Sequence, residues 1–122
     1  MNTLNITEIK AFVPAQDFEL SKQFYQDMGF TMASDGDGIA YFHKDGCSFL
    51  LQDFYLSEHA NNFMMHLLVE DVDSWYAHIM ATDIVSKYQV RISEVVTQPW
   101  RMRDFCLTDP GGVLWRIGEN IQ

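Results

Sequence analysis

The chain has 122 residues, of which 48% are hydrophobic and 20% are charged, and its formal net charge is −9. A chain of this length can bury an ordinary hydrophobic core, so it needs no second domain, disulfide framework or structural metal in order to fold. The acidic balance argues against a nucleic-acid partner, because phosphates attract basic surfaces, and no stretch approaches the roughly 18 apolar residues that a membrane span requires.

The hydrophobic period changes after Pro14. Residues 6–13 are apolar and β-branched, which predicts a strand that Pro14 ends, since proline lacks the N–H group that a ladder needs. Asp17 can cap a helix and Gly29 can stop it, and the apolar residues between them follow a helical repeat. The predicted core contacts of this helix are Phe18, Phe24, Tyr25 and Met28.

Three short strands are predicted after this helix, and turns that contain aspartate and glycine separate them. Their expected positions are residues 30–33, 39–43 and 47–52. The first unit is therefore strand, helix, strand, strand, strand. The polar residues 55–62 that follow are expected to form a linker.

The same order of elements begins again at residue 63. We predict a strand over residues 63–69, a helix capped by Asp71 or Asp73, and three further strands over residues 93–97, 103–108 and 113–117. The chain is thus predicted to be a single domain over residues 1–122, with module one at 1–56 and module two at 62–122. Gln52 and Arg116 end the corresponding strands of the two modules.

This arrangement resembles the vicinal oxygen chelate superfamily, in its glyoxalase, bleomycin-resistance and dioxygenase branch. The residues that carry the resemblance are Val13-Pro14, Asp17, Phe24-Tyr25, Met28-Gly29-Phe30, His66, Glu70-Asp71-Val72-Asp73, Pro99-Trp100, Arg103, Phe105, Asp109-Pro110-Gly111-Gly112 and Leu114. The resemblance implies an α+β fold in which two βαβββ modules form a curved mixed sheet around a cleft, usually in a homodimer. Such a fold does not by itself fix a function.

Enzymes of that family hold a divalent metal with His and Glu side chains on the inward faces of four strands. The resemblance places these four positions near Lys10, on Gln52, on Met64 or His66, and on Arg116. A guanidinium repels a metal ion and has no lone pair to donate. We therefore expect no metal cofactor.

His66 supports the opposite hypothesis, a divalent metal in an altered site. It shares a strand face with Met64 and Leu68 because side chains alternate along a strand. A metal at His66 would need Gln52 and Glu119 as further ligands, since a lone histidine holds an ion poorly. Otherwise His66 is expected to form a hydrogen bond with a ligand or with neighbouring backbone.

Alternation along the last strand separates core residues from site residues. Trp115 is expected to face the helix, whereas Arg116 faces the cavity, and symmetry places Gln52 there as well. Trp100 follows Pro99 in a loop, which leaves ligand contact, dimer contact and packing as alternatives. The ligand-binding candidates are Gln52, Met64, His66, Trp100, Arg103 and Arg116.

Three of the eight basic residues, Arg101, Arg103 and Arg116, lie in the last quarter of the chain. They either hold a carboxylate or carbonyl group of a ligand, or form ion pairs with acidic residues of the same chain. The acidic residues considered for such pairs are Glu94, Asp104 and Asp109.

Cys47 and Cys106 lie between apolar neighbours, which predicts reduced thiols in the core. The opening segment, Met1 to Ile6, lacks the basic and apolar regions of a signal peptide. We expect a cytoplasmic protein.

Two classes of function follow. The first is a small-molecule-binding protein of the glyoxalase/bleomycin-resistance type, which holds its ligand in a homodimer cleft without the usual metal site. The alternative is a glyoxalase-like lyase or a dioxygenase-like metalloenzyme with an altered ligand set.

Overall fold

The computed structural model of the protein describes residues 3–122. Met1 and Asn2, which belong to the predicted domain range and to the segment inspected for a signal peptide, lie outside the described residues. The elements are β1 (Phe12–Pro14), α1 (Phe18–Met28), β2 (Thr31–Gly36), β3 (Ile39–Lys44), β4 (Cys47–Gln52), α2 (Ser57–Asn61), β5 (Met64–Leu68), α3 (Val72–Ala81), α4 (Ile84–Tyr88), β6 (Val96–Gln98), β7 (Met102–Thr108) and β8 (Leu114–Asn120). Among residues 3–122, no helix has both the length and the apolar character of a membrane span.

Each module forms its own four-stranded sheet, with the strand orders β1-β4-β3-β2 and β5-β8-β7-β6. In both sheets the first strand of the module runs parallel to its last strand, and all other neighbours are antiparallel. The repetition predicted from the sequence is therefore present in the topology. The predicted α+β fold of two βαβββ modules is confirmed, with two separate mixed sheets.

Helix α1 has the predicted boundaries. Asp17 caps it, with Oδ1 accepting a hydrogen bond from the Leu20 N–H at 3.1 Å. Gly29 ends the helix in the left-handed conformation, with φ of 118°, which a residue with a side chain rarely adopts. The predicted core contacts Phe24, Tyr25 and Met28 are fully buried, whereas Phe18 only packs against the edge of the core.

Aromatic rings join the two modules in one core. The Trp115 ring of module two lies 5.5 Å from that of Tyr25 and 5.3 Å from that of Phe49, measured between centroids. Both Phe49 and Trp115 face the core, as strand alternation predicts. Packing across the modules therefore fixes the position of one sheet against the other.

A buried hydrogen-bonded network lies beside these rings. The Trp115 Nε1–H donates to the Tyr25 hydroxyl at 2.9 Å, and Tyr25 donates to Oδ2 of Asp109 at 2.5 Å. Oδ1 of Asp109 accepts from the N–H groups of Gly111 and Val113 at 2.9 and 2.8 Å. Burial raises the pKa of Asp109 to about 6, although these hydrogen bonds act in the opposite direction.

The first strand is shorter than predicted. Only Phe12–Pro14 pairs with β4, and residues 6–11, which the sequence assigns to the strand, precede it without regular structure. β1 is an edge strand, so Pro14 is tolerated inside it, opposite Gln52, and does not end it from outside. Leu4, Ile6 and Ile9 are among the most exposed apolar side chains described.

Module two contains a short helix that the sequence did not predict, α4. Its residues Ile84 and Tyr88 are buried, and the Tyr88 ring packs edge-to-face on Phe24 at 5.3 Å. Because two buried side chains four residues apart lie on one helix face, this single turn closes the core beside α1. The predicted linker 55–62 also contains a short helix, α2. The last two strands of module two, predicted at 103–108 and 113–117, are observed as β7 and β8 with bounds that differ by up to three residues.

Cys47 and Cys106 are free, but the prediction that they lie in the core is wrong. Cys47 is exposed at the hairpin end of β4, beyond the packed rings. Cys106 is half-buried and pairs with Arg116, so its side chain lies on the sheet face away from the helices.

Candidate functional site

The face of the second sheet that points away from the core carries several of the candidate residues. Met64, His66 and Leu68 of β5 lie directly beside Leu114, Arg116 and Gly118 of β8. We call this surface, formed by Met64, His66, Leu68, Leu114 and Arg116, the open face. Met64 is 56% exposed. Three of the predicted ligand-binding residues, Met64, His66 and Arg116, are thus neighbours.

Arg116 is bound to an acidic residue of its own chain. Its Nη1–H donates to Oδ2 of Asp104 at 3.1 Å, and Asp104 is only 2% exposed. Oδ1 of Asp104 accepts a second hydrogen bond from the Gln98 side chain at 2.9 Å. Of the two alternatives for this arginine, the structure has the ion pair.

Gly118 leaves the space in which Asp104 is buried. A Cβ atom at Gly118 would lie 2.8 Å from Cβ of Asp104 and 3.1 Å from the carbonyl oxygen of Arg103. Both distances are too short for an ordinary contact. The absence of a side chain at this position therefore allows the carboxylate to reach Arg116.

Arg103 does not join this group. It lies in β7 two residues before the buried Phe105, on the helix side of the sheet. Its guanidinium donates two hydrogen bonds to Asp73 at the start of α3, at 2.7 and 3.1 Å. The structure thus places Arg103 and Arg116 on opposite faces of the sheet.

Glu119 also lies on the helix side. Its Oε1 accepts a hydrogen bond from the Val72 N–H at 3.1 Å, and it lies 3.7 Å from Arg103. Because alternation places His66 on the open face, the ligand set of His66, Gln52 and Glu119 is not brought together. Glu119 is therefore not placed to join His66 in one site, and a metal at His66 stays an untested alternative.

Three carboxylates, those of Asp71, Asp73 and Glu119, lie close enough for one atom of each to fall within 4.8 Å of the others. Each already has a partner. Asp71 caps α3 through the N–H and hydroxyl of Ser74, which lower the pKa of Asp71, and Arg103 neutralises the other two. The cluster is satisfied by helix capping and an ion pair.

In the first sheet, Gln52 occupies the position that corresponds to Arg116. Gln52 lies beside Pro14 of β1 as Arg116 lies beside His66 of β5. Gln52 is the last residue of β4, as predicted, whereas β8 continues for four residues beyond Arg116, so the prediction that both residues end their strands is met only by Gln52. A proline beside Gln52 offers no ligand atom in its side chain.

The N-terminal segment lies against the same face of the first sheet. Glu8 accepts hydrogen bonds from the hydroxyl groups of Tyr41 and Ser48, and Lys10 donates to it at 3.1 Å. The bond from Ser48 is the main cause that lowers the pKa of Glu8 to about 2. Lys10 is thus paired with a carboxylate of its own segment.

The residues at the family's four metal positions do not fit a divalent ion. Lys10 and Arg116 are cations that are each paired with an acid. Gln52 is a neutral amide, and the fourth position is Met64 or its neighbour His66. A divalent ion requires about three or four donors with free lone pairs, and this set contains two cations.

Trp100 lies in the turn between β6 and β7 and is 56% exposed. The next residue, Arg101, has a positive φ of 65°, so the turn adopts a left-handed conformation there. The indole is therefore on the surface, and its role as a ligand or dimer contact stays a prediction.

A cleft lies between the two modules, as their pairing predicts, but the sequence did not predict which residues line it. Its volume is about 520 Å³, and it is lined by Phe30, Lys44, Asp45, Cys47, Leu67, Leu68, Val69, Glu70, Asp71, Ser74 and Trp75. A second space of about 260 Å³ shares Lys44, Ser74 and Trp75 with it and adds Met28, Gly29 and His78. We call the two together the inter-module cleft. None of the six predicted ligand-binding residues lines it.

Comparisons with known proteins agree with this architecture. Residues 6–117 match the Glyoxalase/Bleomycin resistance protein/Dioxygenase superfamily. A bleomycin resistance determinant encoded on the transposon Tn5 is 23% identical with a TM-score of 0.80, covering 93% of this chain and 97% of its own. A bleomycin-binding protein solved with bleomycin is also 23% identical, with a TM-score of 0.78 and coverage of 93% and 98%. A lactoylglutathione lyase from Agrobacterium tumefaciens is 18% identical, with a TM-score of 0.67 and coverage of 97% and 95%. Among curated proteins, none matches the sequence.

Proposed function

The chain belongs to the glyoxalase/bleomycin resistance protein/dioxygenase superfamily, and on that premise we propose that it is a small-molecule-binding protein of the bleomycin-resistance type that works without the family's metal. The likeness to solved structures establishes the fold. The function is argued from the side chains on the open face.

The observation that carries the proposal is the ion pair between Arg116 and Asp104. Asp104 is buried, so removing its cationic partner would leave an uncompensated charge away from water. Arg116 is therefore held in place at a position where the resemblance implies a carboxylate ligand. Beside it His66 offers one imidazole, which can accept or donate a hydrogen bond but cannot hold an ion alone.

The open face suits contact with an organic ligand. Met64 and Leu68 are exposed apolar side chains, and His66 and Arg116 lie between them. Ligand sites typically combine apolar surface with a few polar groups that fix orientation. We propose that Met64, His66 and Arg116 contact the ligand, with Gln52 and Trp100 as further contacts.

We also propose a homodimer, because an uncovered sheet face leaves the site open. Leu4, Ile6 and Ile9 project from a segment that precedes β1 and are exposed. Three aliphatic side chains in solvent favour association, since burial of each is worth about 1.5 kcal/mol or more. A second copy of the chain is the occupant that we propose for them. The two free thiols support a reducing, cytoplasmic location.

The experiment is a calorimetric titration of the purified protein with bleomycin, the ligand bound in one of the similar solved structures. We expect saturation at one ligand per protomer, with no metal required. His66→Ala and Met64→Ala should weaken binding, whereas His59→Ala, on the exposed surface of α2, should not.

The alternative function, a metal-dependent lyase, gives a different result. It predicts nickel or zinc near one equivalent per protomer in the purified protein, loss of that metal in His66→Ala, and turnover of the lactoylglutathione lyase substrate. These three observations together would replace the proposed binding function.

A further inference from the structure

The inter-module cleft is a concave site that borders the open face at Leu68 and shares none of its other residues. One wall comes from module one, with Lys44 and Cys47 at the hairpin end of β3 and β4. The other wall comes from module two, with Leu67 at the end of β5 and Trp75 in α3. The larger of its two spaces, with a volume of about 520 Å³, falls within the range of small-molecule sites, about 300–1,000 Å³.

The charges that line the cleft are mainly negative. Three carboxylates, those of Asp45, Glu70 and Asp71, face one ammonium group, that of Lys44, which gives a formal lining charge of −2. The Lys44 ammonium lies 3.6 Å from Oδ2 of Asp45, so this acid partly neutralises it. The formal net charge of the whole protein is −9. The potential in the cleft therefore favours a cation.

Glu70 is the carboxylate that is free to meet such a ligand. Asp71 is engaged in capping α3 through Ser74. Within residues 3–122, Glu70 makes neither an ion pair nor a side-chain hydrogen bond. A carboxylate without a partner at the edge of a cleft can pair with an incoming ammonium group with no internal contact to break.

The rest of the lining is aromatic and aliphatic. Trp75 lines both parts of the cleft, and Phe30, Leu67 and Val69 add apolar surface. An indole attracts a cation through the negative face of its ring, and it also packs against another aromatic ring. The walls are thus complementary to a ligand that is both positively charged and aromatic.

We propose that the inter-module cleft binds a small aromatic organic cation, with Glu70 pairing with its charge and Trp75 packing against its ring. Glu70 and Trp75 are distinct from Met64, His66 and Arg116, the contacts proposed for the open face, and the two surfaces share only Leu68. Cys47 is exposed and lines the same cleft. Its thiol therefore reports occupancy without any substitution in the proposed binding residues.

The test measures the rate at which neutral iodoacetamide alkylates Cys47 in a Cys106→Ser background. The probe is benzyltrimethylammonium, and the control ligand is benzenesulfonate, which has an aromatic ring but a negative charge. We expect benzyltrimethylammonium to slow alkylation in a saturable manner at millimolar concentrations and benzenesulfonate to leave the rate unchanged.

Two variants and a matched control test the assigned roles. Glu70→Gln keeps the shape and removes the charge, and should weaken the probe about threefold to fivefold. Trp75→Leu should weaken it about tenfold. Glu58→Gln removes another exposed carboxylate, in α2 and outside the cleft, and should change nothing. All of these variants keep Cys47 as the reporter, and unchanged unfolding temperatures verify their folds.

Three outcomes would overturn the proposal. Protection of Cys47 by benzenesulfonate and not by the cation would mean that the Lys44 ammonium outweighs the carboxylates and that the cleft prefers anions. No protection by either compound at tens of millimolar would mean that the cleft holds no such ligand. Equal effects of Glu70→Gln and Glu58→Gln would show that general attraction to an acidic protein explains the binding.

Discussion

The guanidinium of Arg116 lies 3.1 Å from the carboxylate of Asp104, which is almost completely removed from solvent. Both side chains lie on the face of the second sheet that points away from the helices, where β7 and β8 are neighbours. The arginine is half-buried as well. The pair fixes the chemistry of the open face, because a guanidinium that neutralises a buried acid cannot be replaced by a metal ligand without a cost in stability.

Replacing Arg116 with leucine should destabilise the fold by about 2 kcal/mol, because Asp104 would keep only its hydrogen bond from Gln98. Urea unfolding measures this change. The matched control is Arg91→Leu on the exposed surface, and it should alter the free energy of unfolding by less than about 0.5 kcal/mol. Combining Arg116→Leu with Asp104→Asn should restore part of the loss, and equal stability of the single variant and the wild type would contradict the structural role.

Gly118→Ala should destabilise the protein by about 1 to 3 kcal/mol, because the new Cβ would meet Cβ of Asp104 at 2.8 Å and a carbonyl oxygen at 3.1 Å. Gly36 is the control. It lies in β2, and a Cβ added there has no neighbour within 4 Å. Gly36→Ala should therefore be neutral or slightly stabilising. Thermal unfolding compares the two variants, and equal effects would mean that Asp104 is not packed against Gly118.

The buried carboxylate of Asp109 should make stability depend on pH in an unusual direction. Its pKa is raised from 3.8 to about 6 in the folded protein. Between these values the folded state keeps a proton that the unfolded state has released, so this group's contribution to stability is lost as the pH rises from about 4 to 6. The size of the loss is about 3 kcal/mol at most.

Asp109→Asn isolates this contribution, because asparagine stays neutral throughout that range. The difference in unfolding free energy between wild type and variant should shift by up to about 3 kcal/mol in favour of the variant between pH 4 and pH 7. The exposed Asp53→Asn serves as the control and should show no such shift. A constant difference across the range would refute the raised pKa.

The N-terminal apolar side chains should govern dimer formation. Replacing Leu4, Ile6 and Ile9 together with serine should raise the dimer dissociation constant by more than about tenfold, since three exposed aliphatic groups lose their proposed burial. Sedimentation equilibrium measures the constant. Leu56→Ser with Met80→Ser, which removes two apolar side chains elsewhere that are 57% and 50% exposed, is the control. A monomeric wild type at micromolar concentrations would contradict the homodimer.

Much of the fold could be predicted because local signals agree with it. Asp17 and Gly29 bound α1 through short-range capping geometry, and turns that contain aspartate and glycine separate β2, β3 and β4, and likewise β7 and β8. Alternation placed Trp115 and Phe49 in the core. These signals depend on neighbours within a few residues, which a sequence displays directly.

The candidate site was harder to predict, because its partners are distant along the chain or on different elements. Alternation along the strands would have separated Arg103 from Arg116. Arg103 pairs with Glu119, which is three residues from Arg116 and so points to the opposite face of the sheet. The pairing of Arg103 with Asp73, by contrast, depends on how α3 packs on the sheet. The two-module repeat predicts a cleft between the modules, but the residues that line it depend on how the two sheets are placed against each other, which no local pattern marks.

The central claim, that the open face binds an organic ligand and does not chelate, is tested most directly by one calorimetric titration. Protein treated with a chelator and measured free of metal is titrated with bleomycin. The account predicts saturable binding at one ligand per protomer that His66→Ala weakens and His59→Ala does not. Binding or turnover that appears only after nickel or zinc is added back, at one ion per protomer and through His66, would contradict it.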